Sequence, residues 1–236
     1  MGEKPVVVQF MGLNFNLTNI MSGLVVCIMV FLFVYLLARK AQLRPTRKQN
    51  VLERVIEFTN SIVKQSIPGE EGKKFYLFSF VLFLFIFFSN QLGLFLEPKF
   101  GEYVLIKSPT SSPLITMTLA SFVLLMAFYY GIEKQGFGGY LKNYTKPVSF
   151  LLPLNIFEEF SNFLTLALRL YGNIYAGEIV LGLIGQLAQS NGALTYVVAM
   201  PLTLLWQGFS VFIGAIQAYV FVTLSMVYIS HKIEKE

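Results

Sequence analysis

The sequence has little charge for its length. Only 13% of its 236 residues are charged, whereas 55% are hydrophobic and 16% are aromatic. Soluble domains carry about 25% charged residues, so this chain has too few charges to cover a water-facing surface. Aspartate is absent, so every acidic residue is Glu. The composition excludes an ordinary soluble domain and predicts a protein whose solvent is largely lipid.

Cysteine and histidine are nearly absent, with one of each, Cys27 and His231. A single cysteine cannot form an internal disulfide, and the neighbours of Cys27 supply no set of metal ligands. We therefore expect neither a metal nor a cofactor. The net charge of +5 does not indicate a nucleic-acid partner. The basic residues lie in short segments between apolar runs, which is typical of membrane proteins.

Long apolar runs make up most of the chain. Each is long enough to cross a hydrocarbon layer of about 30 Å, and none shows the two-residue alternation of barrel strands. They are therefore predicted to be transmembrane helices, and 1–236 to be a single all-α membrane domain with five spans. The predicted spans lie at about 18–38, 75–96, 113–131, 150–186 and 194–230.

Basic residues predict the orientation of these spans. Segments 39–74 and 132–149 and the tail after the last run are basic, which places them on the inner side. The N-terminus is then outside and the C-terminus is cytoplasmic. Within the first inner segment, residues 50–67 mix apolar and charged side chains at helical spacing. This pattern predicts an amphipathic helix lying on the inner membrane surface.

The last two runs are longer than a perpendicular span requires. At about 1.5 Å per residue, each would measure roughly 50 Å as one helix, whereas about 20 residues suffice to cross the bilayer. Because both are apolar nearly throughout, they are predicted to tilt steeply rather than to project into water. Joined by a short outer turn, they form a long tilted hairpin suited to lie against a curved partner.

Arg169 stands in the middle of the fourth run. A mid-membrane arginine costs about 2.5–3.5 kcal/mol on insertion scales, and its guanidinium does not lose its proton in a protein. Since intramembrane ionisable residues usually mark transport pathways, we favour a functional role over a structural ion pair. Asn173 shares its helical stripe. Glu178 lies about 180° away and about 13 Å further toward the outside.

Polar residues of the last two runs fall into three layers when depth is counted along both helices. Ionisable groups on both sides of a fixed positive charge indicate two half-pathways interrupted by a barrier. We expect Arg169 and Glu178 to carry the chemistry and the others to line a proton path. The outer layer holds Glu178 and Ser210, the middle layer Arg169, Asn173 and Gln217, and the inner layer Glu158, Glu159, Tyr228 and His231.

Simpler roles stay open for several of these residues. Ser210 is equally typical of a hydroxyl bonded to its own helix backbone. The two inner glutamates and His231 are also typical of solvated helix ends. Other functions explain part of the pattern. A secondary transporter would show paired repeats and broken helices, and a membrane insertase or assembly scaffold would explain the arginine but not the matched layers.

Three segments resemble a known family, the subunit a of F-type ATP synthases. LALRLYGNIYAGE, residues 166–178, resembles the signature helix of that family. GAIQAYVFVTLSMVYISHK, residues 214–232, resembles its last helix, and ARKAQLRPTRKQN, residues 38–50, is similar to a basic loop of bacterial members. The resemblance covers nearly the whole chain.

The resemblance implies roles for individual residues. Arg169 takes the place of the family's essential arginine, Glu178 that of the outer relay carboxylate, and Asn173 and Gln217 those of nearby amides. Ser210 is a departure, because some members have a histidine there.

The resemblance also implies partners and a mechanism. The partners are a ring of c subunits, the b-subunit peripheral stalk and the remainder of the F1Fo complex, in the lipid bilayer of a bacterial plasma membrane. A proton passes Glu178 and neutralises a c-ring carboxylate. It leaves by the inner path after nearly a full turn of the ring. This chain has no phosphate-binding loop and is expected to make no ATP itself.

Overall fold

The computed structural model describes residues 4–5, 7–10, 13–39, 42, 46–95, 99–100, 103–104, 107–144, 152–190 and 193–233. Four basic residues of the predicted inner segments, Lys40, Arg44, Lys146 and Lys235, lie outside this set, as do residues 150 and 151 of the fourth predicted span. The described helices are α1 (Leu17–Ala38), α2 (Arg47–Ser66), α3 (Tyr76–Phe95), α4 (Pro113–Gln135), α5 (Phe137–Tyr144), α6 (Leu152–Ser190) and α7 (Ala193–Ile233).

The strands are few and short. They are β1 (Lys4–Pro5), β2 (Val7–Phe10), β3 (Leu13–Asn16), β4 (Lys99–Phe100) and β5 (Tyr103–Val104). β2 and β3 form an antiparallel hairpin before α1, while β5 pairs antiparallel with β4 and parallel with β1. Short 3-10 turns occupy Glu71–Phe75 and Pro109–Ser111. The prediction of an all-α membrane protein is confirmed, and the strands within the described ranges are confined to short segments before α1 and between α3 and α4.

Side-chain hydrogen bonds and a glycine explain where several of the helices begin or end. Asn16 accepts a hydrogen bond from the backbone N–H of Asn19 and so caps α1. Thr46 does the same for α2 through Gln49. Gly136 has a φ of 73°, which suits glycine, and it ends α4. Beyond Gly136 the chain turns directly into α5.

α2 has one buried and one exposed apolar face. Leu52, Ile62 and Val63 are buried against the rest of the protein, whereas Val51 and Phe58 are exposed. Exposed apolar side chains beside charged ones suit a helix that rests on a membrane surface.

The core lies where α3, α4, α6 and α7 meet. α7 is central, because it packs against α2, α3, α4 and α6. Leu166 and Leu170 of α6 are buried there with Val222 and Met226 of α7 and Val123 of α4. Small residues at these crossings let the helices approach closely. A Cβ added to Gly214 would lie 3.3 Å from the Cβ of Asn90.

Four described stretches are long and apolar enough to cross a membrane. They are Leu17–Ala38, Glu71–Leu94, Pro113–Gln135 and Thr195–Ile233. α6 is 39 residues long, but Glu158, Glu159, Arg169 and Glu178 lower its apolar character. At about 1.5 Å per residue, α6 measures roughly 58 Å, which is well beyond the thickness of the hydrocarbon layer.

α6 and α7 are antiparallel neighbours along most of their length. Thr195 donates to the carbonyl of Ala188 near one end, and Trp206 donates to the carbonyl of Gly177 further along. Lys232 pairs with Glu159 at the other end. The two helices therefore form the hairpin on which the three polar layers were placed.

Candidate functional site

A cavity of about 320 Å³ lies between α3, α6 and α7. Its polar lining comes from Asn173 and Glu178 of α6, Ser210 of α7 and Asn90 of α3. The space is many times what one water requires, and it offers several polar groups to hold water. The structure therefore brings the two outer-layer residues and Asn173 to one chamber. Trp206, Phe209 and Leu181 supply much of its apolar wall.

Glu178 has two oxygen atoms in different surroundings. Its Oε2 lies 2.8 Å from the Nζ of Lys107. Its Oε1 is buried and has no hydrogen-bond partner among the described residues. No pattern in the sequence singled out Lys107. Its contact with Glu178 had no periodic signal, because the two residues come from different elements.

Asn90 joins α3 to the elements around the cavity. Its side-chain amide donates to the carbonyl of Gly214 at 3.0 Å, and its Oδ1 accepts from the Thr110 hydroxyl at 2.8 Å. Asn90 is fully buried, so both bonds are needed to satisfy its amide. Asn90 was not among the residues predicted from the sequence. The polar triplet 89–91 near the end of an otherwise apolar run was the available signal.

The middle layer is less enclosed. Arg169, Asn173 and Gln217 are each half-buried. Within the part of the chain that the structure describes, no ion pair involves Arg169. Tyr228 of α7 lies within electrostatic reach of the guanidinium. Arg169 thus presents a permanent positive charge on the hairpin with no described carboxylate to neutralise it.

The inner layer is centred on Glu159. Its carboxylate is ion-paired with Lys232 of α7, whose ammonium also lies over the rings of Phe128 and Tyr140. Tyr228 is half-buried nearby along α7, while Glu158 and His231 are exposed. Of the four residues placed in this layer, Glu159 is therefore held by a partner and two face outward. Lys232 was overlooked as that partner, although it directly follows His231.

No group of three or more His, Cys, Asp or Glu side chains with the arrangement of a metal site occurs among the described residues. Cys27 is exposed on α1. The functional groups of the hairpin are carboxylates, amides, hydroxyls, the guanidinium of Arg169, the imidazole of His231 and the ammonium of Lys232. Such groups move protons and stabilise charge.

The sequence matches known proteins over its whole length. A family model described as ATP synthase A chain matches residues 20–230. A protein of Pediococcus pentosaceus named ATP synthase subunit a is 51% identical over 236 residues, which cover 100% of this chain and 99% of the relative. One of the same name from Enterococcus faecalis is 46% identical, with 100% of both chains covered. The chain therefore belongs to the ATP synthase A chain family, the proton-translocating membrane part of the F1Fo complex.

Proposed function

We propose that this chain moves protons through two offset half-pathways on the α6–α7 hairpin and delivers them to a ring of c subunits. The observation that carries the proposal is the cavity that joins Glu178, Ser210 and Asn173 on one side of Arg169. Ionisable groups of the inner layer lie on the other side of that arginine. Coupled to rotation, this path drives ATP synthesis elsewhere in the complex.

The outer half-pathway runs through the cavity. Water held there carries a proton to Glu178, with Asn173 and Ser210 offering hydrogen bonds along the way. From Glu178 the proton passes to a carboxylate on the ring. A neutral carboxyl group can face lipid at far lower cost than an ionised one, so the loaded site can rotate away from this chain.

Arg169 acts as barrier and electrostatic partner. Its permanent charge cannot relay a proton, so it prevents a direct leak from the outer to the inner path. It attracts the ionised ring carboxylate that has released its proton. Moving one charge through 100 mV supplies about 2.3 kcal/mol, and several such steps per turn give the rotation its drive.

The inner half-pathway uses the end of the hairpin near Glu159. Glu158 and His231 are exposed there, and Tyr228, which lies within electrostatic reach of Arg169, comes three residues before His231 on α7. A proton released by the ring leaves through these groups and the water that reaches them. Exposed groups exchange protons with solvent directly, so this route requires less enclosure than the outer one.

The orientation of the chain in the membrane is inferred from its basic segments. We assign the N-terminus to the outside and the C-terminus to the cytoplasm of a bacterial plasma membrane, with five spans and a tilted hairpin. Large apolar side chains are exposed along the hairpin, including Leu168, Tyr175 and Phe212. Such a surface suits contact with the c-ring and lipid, and the b-subunit stalk holds the chain still against the turning ring.

The test is ATP-driven proton pumping in inverted vesicles that carry the assembled complex. Arg169→Ala is compared with wild type and with Arg54→Ala, which removes an exposed charge from α2. We expect Arg169→Ala to abolish pumping while assembly and soluble ATPase activity persist, and Arg54→Ala to pump normally. Normal coupled pumping by Arg169→Ala would overturn the proposal and return attention to a scaffold or transporter role.

A further inference from the structure

Lys107 reaches the candidate relay carboxylate from outside the hairpin. It immediately precedes the turn that begins at Ser108, and its ammonium lies 2.8 Å from Oε2 of Glu178. The two side chains are 30% and 24% exposed, so the pair is mostly sheltered by protein. The other carboxylate oxygen, Oε1, is buried and has no partner among the described residues.

The backbone beneath Lys107 is fixed by contacts to two helices. Its own N–H donates to the hydroxyl of Ser22 on α1 at 3.0 Å. The next residue, Ser108, donates to the carbonyl of Ser89 on α3 at 2.8 Å and is buried. A Cβ added to Gly93 would lie only 2.6 Å from the Cβ of Ser108, so the segment sits directly against α3. The long, flexible side chain of Lys107 therefore extends from a backbone position that these contacts fix.

The segment has anchors besides the ion pair. Thr110 also bonds to Asn90, and Asn19 donates to Ser112 at 3.1 Å. These contacts hold residues 107–112 in addition to the pair of Lys107 with Glu178. The pair therefore acts mainly on Glu178, which projects from a helix with no other described polar contact to its carboxylate.

We propose that Lys107 is a positioning residue for proton uptake. By holding Oε2, it turns Glu178 so that Oε1 is the oxygen that receives and releases the proton in the cavity. In uptake, a protonated water in the cavity gives up one O–H bond and a new O–H bond forms at Oε1, while Oε2 keeps its contact with the ammonium. In release, that proton passes to a carboxylate of the c-ring and Glu178 returns to its ionised state. Lysine supplies this contact as a point charge and accepts no proton itself while charged. This inference rests on the proposed role of Glu178 in the outer half-pathway.

The test measures ATP-driven pumping per assembled complex in inverted vesicles, together with the heat stability of the complex. The variants are Lys107→Met, Lys107→Arg, Glu178→Asp, and Lys107→Met combined with Glu178→Asp. Lys73→Met is the matched control, because Lys73 also pairs with a glutamate, Glu70, but on an exposed loop. Aspartate keeps the carboxylate while withdrawing it from the ammonium.

If Lys107 positions Glu178, the variants should differ in pumping in a specific way. Lys107→Met lowers pumping several-fold without loss of heat stability, Lys107→Arg restores most of it, and Lys73→Met changes nothing. Glu178→Asp already breaks the contact between the carboxylate and the Lys107 ammonium. Adding Lys107→Met to that variant therefore causes little further loss of pumping.

Other results overturn the inference. Normal pumping by Lys107→Met, or a loss of equal size in the Glu178→Asp background, removes the positioning role. A loss of heat stability that accounts for the reduced pumping makes the pair a structural tie. Normal pumping by Glu178→Gln, measured alongside, would instead remove the outer route of the proposed function itself.

Discussion

The two ends of the α6–α7 hairpin are built differently. The outer part surrounds a partly open cavity of about 320 Å³, whose wall includes the fully buried Asn90 and the mostly sheltered Glu178. At the inner end, Glu158 and His231 are exposed, and Glu159 is paired with Lys232. A proton that must cross a chamber walled by three helices depends on particular side chains. A proton that leaves through an open end can use water, so single side chains matter less there.

The largest contrast between the two ends is expected at their carboxylates. Glu178→Gln keeps the shape of the side chain but cannot exchange a proton, so we expect pumping to fall about ten-fold or more. Glu158→Gln, at the open end, is the matched control and should pump nearly normally. ATP-driven pumping normalised to assembled complex measures both. Equal losses of pumping in Glu178→Gln and Glu158→Gln would mean that the two ends of the hairpin depend on single side chains to the same extent.

The next largest effect is expected where the cavity wall is held together. Asn90→Leu removes the hydrogen bonds from Asn90 to the carbonyl of Gly214 and from the Thr110 hydroxyl to Asn90, and each such bond contributes about 0.5–1.5 kcal/mol. We expect faster heat inactivation of the complex. Thr118→Val is the control, since Thr118 is exposed and bonds only within its own helix. Unchanged heat stability in Asn90→Leu would argue against the network as a structural support.

A smaller effect is expected at Ser210. Its hydroxyl lines the cavity, but the chamber has room for water to take its place. Ser210→Ala should therefore slow pumping only a few-fold and leave assembly intact, as measured in the same vesicles. A loss as large as that of Glu178→Gln would show that the hydroxyl relays protons itself.

The smallest effect is expected at His231. The side chain is exposed at the inner end of α7, and substitutions of such residues usually change stability by less than about 0.5 kcal/mol. His231→Ala should pump within about two-fold of wild type, because solvent water can carry the proton instead. A severe loss would mean that the inner route is as restricted as the outer one.

Helical rise and a short connecting turn explain why the register of the hairpin could be predicted before the structure, whereas the roles of the polar layers stay a prediction. Contacts between Thr195 and Ala188, Trp206 and Gly177, and Lys232 and Glu159 follow the antiparallel register from which the depths were counted. Two continuous apolar helices joined by a short turn leave few other arrangements. The hairpin is therefore the part of the site that a repeating pattern determines.

The outer wall could not be predicted in the same way. The contact of Lys107 with Glu178 depends on hydrogen bonds from residues 107–112 to α1 and α3, and no periodicity relates these elements. The role of Asn90 could not be predicted for a related reason. A single amide in an apolar helix indicates no function until its hydrogen-bond partners are known. α5 was missed because Gly136, Gly138 and Gly139 favour a loop by local propensity alone.

The existence of two separate half-pathways is tested most directly by their access to water from each side. A membrane-impermeant thiol reagent is applied to either face of vesicles carrying Ser210→Cys or Glu158→Cys, with the exposed Cys27 replaced by alanine. We predict that the cysteine at 210 reacts only from the outer face and the cysteine at 158 only from the inner face. Reaction of both from one face, or of either from both faces, would contradict the account.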